Sequence, residues 1–126
     1  MASRAVLLKA FFGQFQSFLK ELRQMYPEDP DFAVFQTTLS ALEMNPLLVA
    51  KMFKEHVVDP HGDKIEAKDE SFFMNHAYAE YSADVDLDII EKLKGYVSTM
   101  SPASKDAVWK YIQILSKLAV KSLDVD

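Results

Sequence analysis

The sequence predicts an all-α protein, a compact bundle of about six helices in one domain that spans residues 1–126. Apolar residues recur three and four positions apart along most of the chain, which is the period of a helix with one buried face. The chain has only 3 Gly, too few for the turns that a β protein of 126 residues usually needs. Its 5 Pro stand between the apolar runs, where helices begin or end.

The first helix is predicted over residues 3–25. One apolar row has the spacing of a heptad seam, and a second row repeats every seven residues beside it. The first row consists of Leu8, Phe11, Phe15, Phe18, Leu22 and Met25, and the second of Ala5, Phe12, Leu19 and Tyr26. The two rows make a face wide enough to contact two neighbouring helices. We therefore expect the long first helix to lie at the centre of the bundle, together with the long last one.

Proline and cap residues divide the next part of the chain. An acidic corner with two prolines follows the first helix, and a second helix is predicted over residues 31–43. A third helix is predicted over residues 46–57, because Asn45 can cap its first turn and Pro46 suits its first position. The polar residues 58–68 predict a loop, in which residues 57–58 and 65–66 can pair as two short strands.

Three further helices complete the predicted bundle. They cover residues 69–81, 84–100 and 102–123, and Ser101-Pro102 repeats the cap-and-proline pattern before the last of them. The buried face of the last helix is predicted to consist of Val108, Tyr111, Ile112, Leu115, Leu118 and Ala119.

Composition argues against several classes of function. Asp and Glu number 19 against 14 Lys and Arg, and the net charge of −5 argues against broad binding of nucleic-acid phosphates. No cysteine is present, so disulfides, thiolate zinc sites and cysteine nucleophiles are excluded. No apolar run reaches the roughly 18 residues of a membrane span, and no secretory leader is recognisable. We expect a protein of the cytoplasm, the nucleus or the interior of a virus particle.

The candidate partner-binding residues lie on the last helix and are Trp109, Val120, Lys105 and Lys110. If Leu115 is the centre of the buried face, a turn of about 100° per residue places Trp109 about 120° away and Val120 about 140° away on the same side. We therefore expect both to be at least partly exposed, as the apolar anchors of a partner surface are.

The basic residues of the same helix support a different hypothesis. Spacings of seven and four place Lys110, Lys117 and Lys121 on one side of the helix, with Lys105 further round. Such a row can contact phosphates, so an adaptor that binds nucleic acid is an alternative. The negative net charge counts against it.

Three segments of the chain resemble uncharacterised small helical proteins encoded by large DNA viruses of algae and protists. They include Pro27-Glu28-Asp29-Pro30, Asp88-Ile89-Ile90-Glu91-Lys92-Leu93-Lys94 and Lys105-Asp106-Ala107-Val108-Trp109-Lys110-Tyr111. The resemblance covers residues 15–120. It implies a helical protein without a catalytic signature, a component of the virion or of the interaction with the host, and it carries over no functional residue.

The favoured function is a non-enzymatic protein-interaction or structural module, whose partner is another protein or a second copy of the chain. The alternative is a small metal-dependent or carboxylate enzyme that uses His56, His61 and the nearby Asp59 and Asp63. The acids of residues 84–88 lack the glycine and glutamate that complete a calcium loop. Because nucleophile elbows and phosphate loops are also absent from the sequence, we assign no catalytic residue, cofactor, metal or small-molecule substrate.

Overall fold

The computed structural model describes residues 3–69, 93 and 95–124. In this part of the chain the helical elements are α1 (Arg4–Met25), α2 (Asp31–Ala41), α3 (Pro46–Phe53), a π-helical segment (Lys54–Val58), α4 (Asp59–Ala67) and α5 (Pro102–Asp124). All regular secondary structure there is helical, which confirms the predicted fold class. The predicted helix over residues 69–81 and most of the one over residues 84–100 lie outside the described residues.

Helices α1 and α5 form an antiparallel pair. Arg4 at the start of α1 donates a hydrogen bond from Nε to the carbonyl oxygen of Ser122 near the end of α5, at 3.0 Å. Near the middle of the pair the rings of Phe18 and Tyr111 stack with centroids 5.0 Å apart. The long first and last helices therefore pack against each other, as the sequence predicts.

The two predicted apolar rows of α1 form the centre of the core. The buried residues of α1 all belong to these rows and are Leu8, Phe11, Phe12, Phe15, Phe18, Leu19 and Leu22. Phe11 and Phe15 meet Phe53 of α3 edge-on, with ring centroids 5.8 and 6.1 Å apart. Edge-to-face contacts of this kind add about 0.5–1.5 kcal/mol per pair to the burial of the rings. The aromatic residues of α1 therefore hold α3 as well as α5.

Of the helices α1, α3 and α5, the first and the last carry a side-chain cap at their start. The hydroxyl of Ser3 accepts the N–H of Val6 at 3.3 Å, and that of Ser101 accepts the N–H of Ser104 at 3.2 Å. Asn45 occupies the N-cap position of α3 as predicted, but its side chain makes no cap hydrogen bond. The first position of α3 is proline, which lacks an N–H and leaves one donor fewer to satisfy.

The predicted loop over residues 58–68, with its two short strands, is wrong. The chain continues from α3 through the π-helical segment into α4, and residues 57–58 and 65–66 are helical. Pro60 has no N–H, so it breaks the usual hydrogen-bond pattern at this point. The helix continues through a π turn at this point, in which the N–H of Asp59 donates to the carbonyl oxygen of Lys54 five residues earlier. The Lys54 ammonium and the Asp59 carboxylate lie 3.0 Å apart and form an ion pair across the same wide turn.

Candidate functional site

Trp109 is buried, and the predicted exposure of this residue is wrong. Its side chain is 4% exposed. The seven buried residues of α5 are centred near Ile112 and Ala119. Leu115 is also fully buried, but it lies about 60° from Ile112, on the side away from Trp109. At about 100° per residue, Trp109 lies only about 60° from Ile112 and about 80° from Ala119. The inner face is wide because α5 packs against α1 and also against α3, the π segment and α4.

Measured from the same centre of the inner face, Val120 lies at the edge of that face. Val120 is half-buried and lines a groove of about 410 Å³, which we call the α4–α5 groove. Its lining residues are Val58, Gly62, Ile65, Glu66, Gln113, Ser116, Lys117, Val120 and Lys121. Its volume falls in the range of about 300–1,000 Å³ that is typical of binding pockets. Of the two apolar residues predicted as anchors, Val120 therefore borders an accessible site.

The base of the groove is apolar and its one inner hydroxyl is already used. Ile65 is 3% exposed, and Val58 and Val120 are half-buried. The Ser116 hydroxyl donates to the carbonyl oxygen of Ile112 at 2.7 Å, so its hydrogen is not available to a ligand. Gly62 adds no side chain, and a Cβ built there meets no atom within 4 Å. The groove therefore offers shape and apolar surface more than hydrogen bonds.

Two polar contacts hold its walls together. The Gln113 side-chain amide donates to the carbonyl oxygen of Ile65 at 3.1 Å. The same carbonyl oxygen also accepts the backbone N–H of Lys68 at 3.2 Å, so the Gln113 amide is its second donor at the end of α4. Lys68 ends α4 in the left-handed region, with φ 55°, and its ammonium lies 3.2 Å from a carboxylate oxygen of Asp106. These contacts fix the end of α4 against α5.

A row of lysines follows the outer face of α5 beside the groove. Lys110, Lys117 and Lys121 are all exposed, and we call them the α5 lysine row. Within the part of the chain that the structure describes, no carboxylate forms an ion pair with any of them. Lys117 and Lys121 also line the groove. Lys105 is half-buried and is not part of the row.

The residues of the predicted enzyme site give no assembled centre among those described. His56 lies in the π segment and His61 in α4, but their side chains fall outside the description. Asp59 is paired with Lys54, and Asp63 is exposed. No group of three or more potential metal ligands occurs in residues 3–69, 93 and 95–124. Whether the two histidines converge with nearby acids stays a prediction.

The groove residues outside α5 were missed by the sequence reasoning. Val58, Gly62 and Ile65 belong to the stretch that was assigned to a loop. One signal could have found them, because Val57 and Ile65 are eight residues apart, a spacing that returns to the same face of a helix. Both residues are buried.

Comparison with known proteins adds no relative: no family model, curated protein or solved structure matches the chain. Among the described helices, none combines the length and the apolar character that crossing a membrane requires.

Proposed function

We propose that this protein is a protein-interaction module that binds a helix of its partner in the α4–α5 groove. The observation that carries the proposal is the groove itself: an accessible apolar cleft between two helices, bordered by lysines without ion partners among the described residues. Recognition of an amphipathic helix by an apolar groove is a recurrent way for helical proteins to bind their partners.

The lining supports a helix more than a small polar ligand. The inner polar groups of the groove, the Gln113 amide and the Ser116 hydroxyl, are both engaged in hydrogen bonds within the protein. The charged groups of Lys117, Lys121 and Glu66 are exposed at the rim of the groove. A small polar ligand would have to be oriented by free donors and acceptors that converge inside it. An apolar side chain needs none, because its transfer from water is favourable in proportion to the area that it buries.

A nucleic-acid adaptor is the second candidate, and the α5 lysine row is the observation that favours it. Phosphate binding by basic residues gives an affinity that falls steeply with salt. Three exposed lysines are a small set for this purpose, and the chain as a whole carries a net charge of −5. The predicted viral origin and the predicted cytoplasmic or nuclear location stay predictions, and neither proposal depends on them.

Two matched glycine substitutions test the proposed function. The full chain is used as bait in a lysate of its native source, as wild type, as Gly62→Leu and as Gly13→Leu. Gly62 lines the groove and Gly13 lies on α1, and a Cβ at either position meets no atom within 4 Å. Both substitutions are expected to fold, since leucine has a higher helix propensity than glycine.

A partner held in the groove is expected to be captured by the wild type and by Gly13→Leu, but lost from Gly62→Leu. Circular dichroism confirms that both variants remain helical. Capture of the same proteins by all three baits, or by none of them, contradicts the proposal.

A further inference from the structure

We infer that the helix accepted by the α4–α5 groove is acidic along one edge, so that its carboxylates face Lys117 and Lys121. This inference rests on the proposed function and adds the chemistry of the partner. Both lysines line the groove and are exposed, and neither has an ion pair with a described carboxylate. A like-charged edge would place two positive side chains opposite each other, which is unfavourable.

The two walls of the groove differ in charge. The α5 wall carries Lys117 and Lys121, whereas Glu66 stands on the α4 wall. A partner with acids on both edges would therefore be repelled on one side. The asymmetry favours an acidic edge along α5 and a neutral or basic edge along α4, and this orients the bound helix about its own axis.

The α5 wall of the groove sets the minimum length of the partner helix. From Gln113 to Lys121 this wall rises about 12 Å, or a little over two turns, at about 1.5 Å per residue. As an isolated peptide, a helix of this length is marginal in water, so such a peptide orders as it binds. The ordering lowers the affinity, and exposed charge pairs contribute little each. Binding is therefore modest in strength and sensitive to salt.

The apolar contacts come from the other side of the same partner helix. Val58, Ile65 and Val120 present apolar surface to the groove. Residues three or four apart on a bound helix share one face, so apolar side chains at such positions reach this surface together. The expected partner has this apolar row flanked on one side by Asp or Glu.

A synthetic peptide tests the inference directly. The probe is a fluorescein-labelled helix of three turns, with leucine at alternating third and fourth positions and glutamate along one edge. Its controls are a peptide of the same composition in scrambled order and one with glutamine in place of glutamate. Binding to the full-length protein is followed by fluorescence anisotropy, at about 0.15 M salt and again at about 1 M, where the screening length falls from about 8 to about 3 Å.

The amphipathic acidic peptide is expected to bind more tightly than both controls, and less tightly at high salt. The double variant Lys117→Glu/Lys121→Glu is expected to weaken its binding about tenfold or more, because two attractive pairs become repulsive. The matched double variant Lys9→Glu/Lys20→Glu changes two exposed lysines of α1 and should leave the affinity unchanged. Glu66→Gln should strengthen binding, since it removes the negative charge of the α4 wall.

Three results would overturn the inference. The first is that the glutamine peptide binds as tightly as the glutamate peptide, and the second is that both double variants lose the same affinity for the peptide. The third is that the peptide does not bind, whereas duplex DNA binds tightly, in a salt-sensitive way, and loses its binding in Lys117→Glu/Lys121→Glu. The inference and the proposed function fail separately. If Gly62→Leu blocks capture of a partner but the acidic peptide never binds, the groove stands as a protein-binding site and its charge preference does not.

Discussion

The α1–α5 pair and the arm formed by α3, the π segment and α4 are built in different ways. The pair consists of two uninterrupted helices of 22 and 23 residues with a continuous apolar seam. The arm covers residues 46–67 and changes its hydrogen-bond pattern before Pro60. It meets the pair through the apolar residues Phe53 and Ile65, but also through the side-chain amide of Gln113.

The difference shows where a helical protein can keep a binding surface. Helices with a regular seam bury it against each other and leave no cleft between them. The arm, whose hydrogen-bond pattern is interrupted, meets α5 through a polar contact as well as apolar ones. The α4–α5 groove lies beside this contact, and Gln113 is one of its lining residues. Three predictions test the contrast, beginning with the largest expected effect.

Replacing Trp109 by alanine is expected to lower the free energy of unfolding by about 3–5 kcal/mol, because a buried ring of this size leaves a cavity. Trp109 lies on the inner face of α5, which packs against both α1 and the arm. Urea unfolding followed by circular dichroism measures the change. The exposed residue Val34 provides the control, as Val34→Ala should change the free energy by less than about 0.5 kcal/mol.

The wild-type protein gives an independent check of the same residue. As the single tryptophan of the chain, Trp109 should show blue-shifted emission that iodide quenches poorly. Red-shifted, readily quenched emission from a folded monomer, together with a small effect of Trp109→Ala, would show that the inner face of α5 ends short of this residue.

Replacing Gln113 by alanine is expected to loosen the arm while the pair stays intact. The change leaves the carbonyl oxygen of Ile65 without its side-chain donor, which costs about 0.5–1.5 kcal/mol. Amide hydrogen exchange should become faster in α4 than in α1, since α4 then opens locally. Gln24→Ala on the exposed side of α1 is the matched control. Equal acceleration in α1 and α4 would mean that the arm and the pair open as one unit.

The smallest expected effect concerns Tyr111, which stacks on Phe18 inside the pair. Burial raises the pKa of Tyr111 above the usual 10.0, and the charge of Glu21 and a hydrogen bond with it raise the pKa further. The folded state therefore favours the protonated phenol. Its contribution to stability is complete below about pH 10 and is lost as the pH rises from there through the raised pKa.

Glu21→Gln should reduce this alkaline loss, because it removes the negative charge beside the phenol. The effect is measured as the free energy of unfolding between about pH 8 and about pH 11, a range that brackets the pKa of a free tyrosine. Ultraviolet absorbance follows the ionisation of the tyrosine side chains. Tyr26 is the internal control, since burial alone raises its pKa. An identical pH dependence in wild type and Glu21→Gln would show that Glu21 does not act on Tyr111.

The regular parts of this fold could be predicted from the sequence because their signals are local. The heptad seam of α1, the cap at Ser101 and the start of α3 at Pro46 depend on neighbouring residues only. The π turn could not be predicted in the same way. Pro60 and Gly62 are usual signs of a loop, and only the packing of Val57 and Ile65 against the core favours a helix there.

The candidate site was predicted only in part, for a geometrical reason. The positions of Val120 and the lysine row follow from the helical period of α5 alone. The burial of Trp109 depends on where the centre of the inner face lies, and the arm determines that centre. Because the sequence predicts a loop over residues 58–68, it does not predict the α4 half of the groove or the packing of α4 against α5.

The antiparallel pair also leads us to expect a particular order of events when the chain folds. The hydrogen bond from Arg4 to Ser122 joins residues 118 positions apart, so the main contact of the core closes nearly the whole chain into one loop. The chain loses the conformational entropy of that closure before the contact between the two helices stabilises the fold. Most helical bundles fold fast because their contacts are local. This protein should fold more slowly than its helix content suggests, with α1, α2 and the arm forming early and α5 docking last.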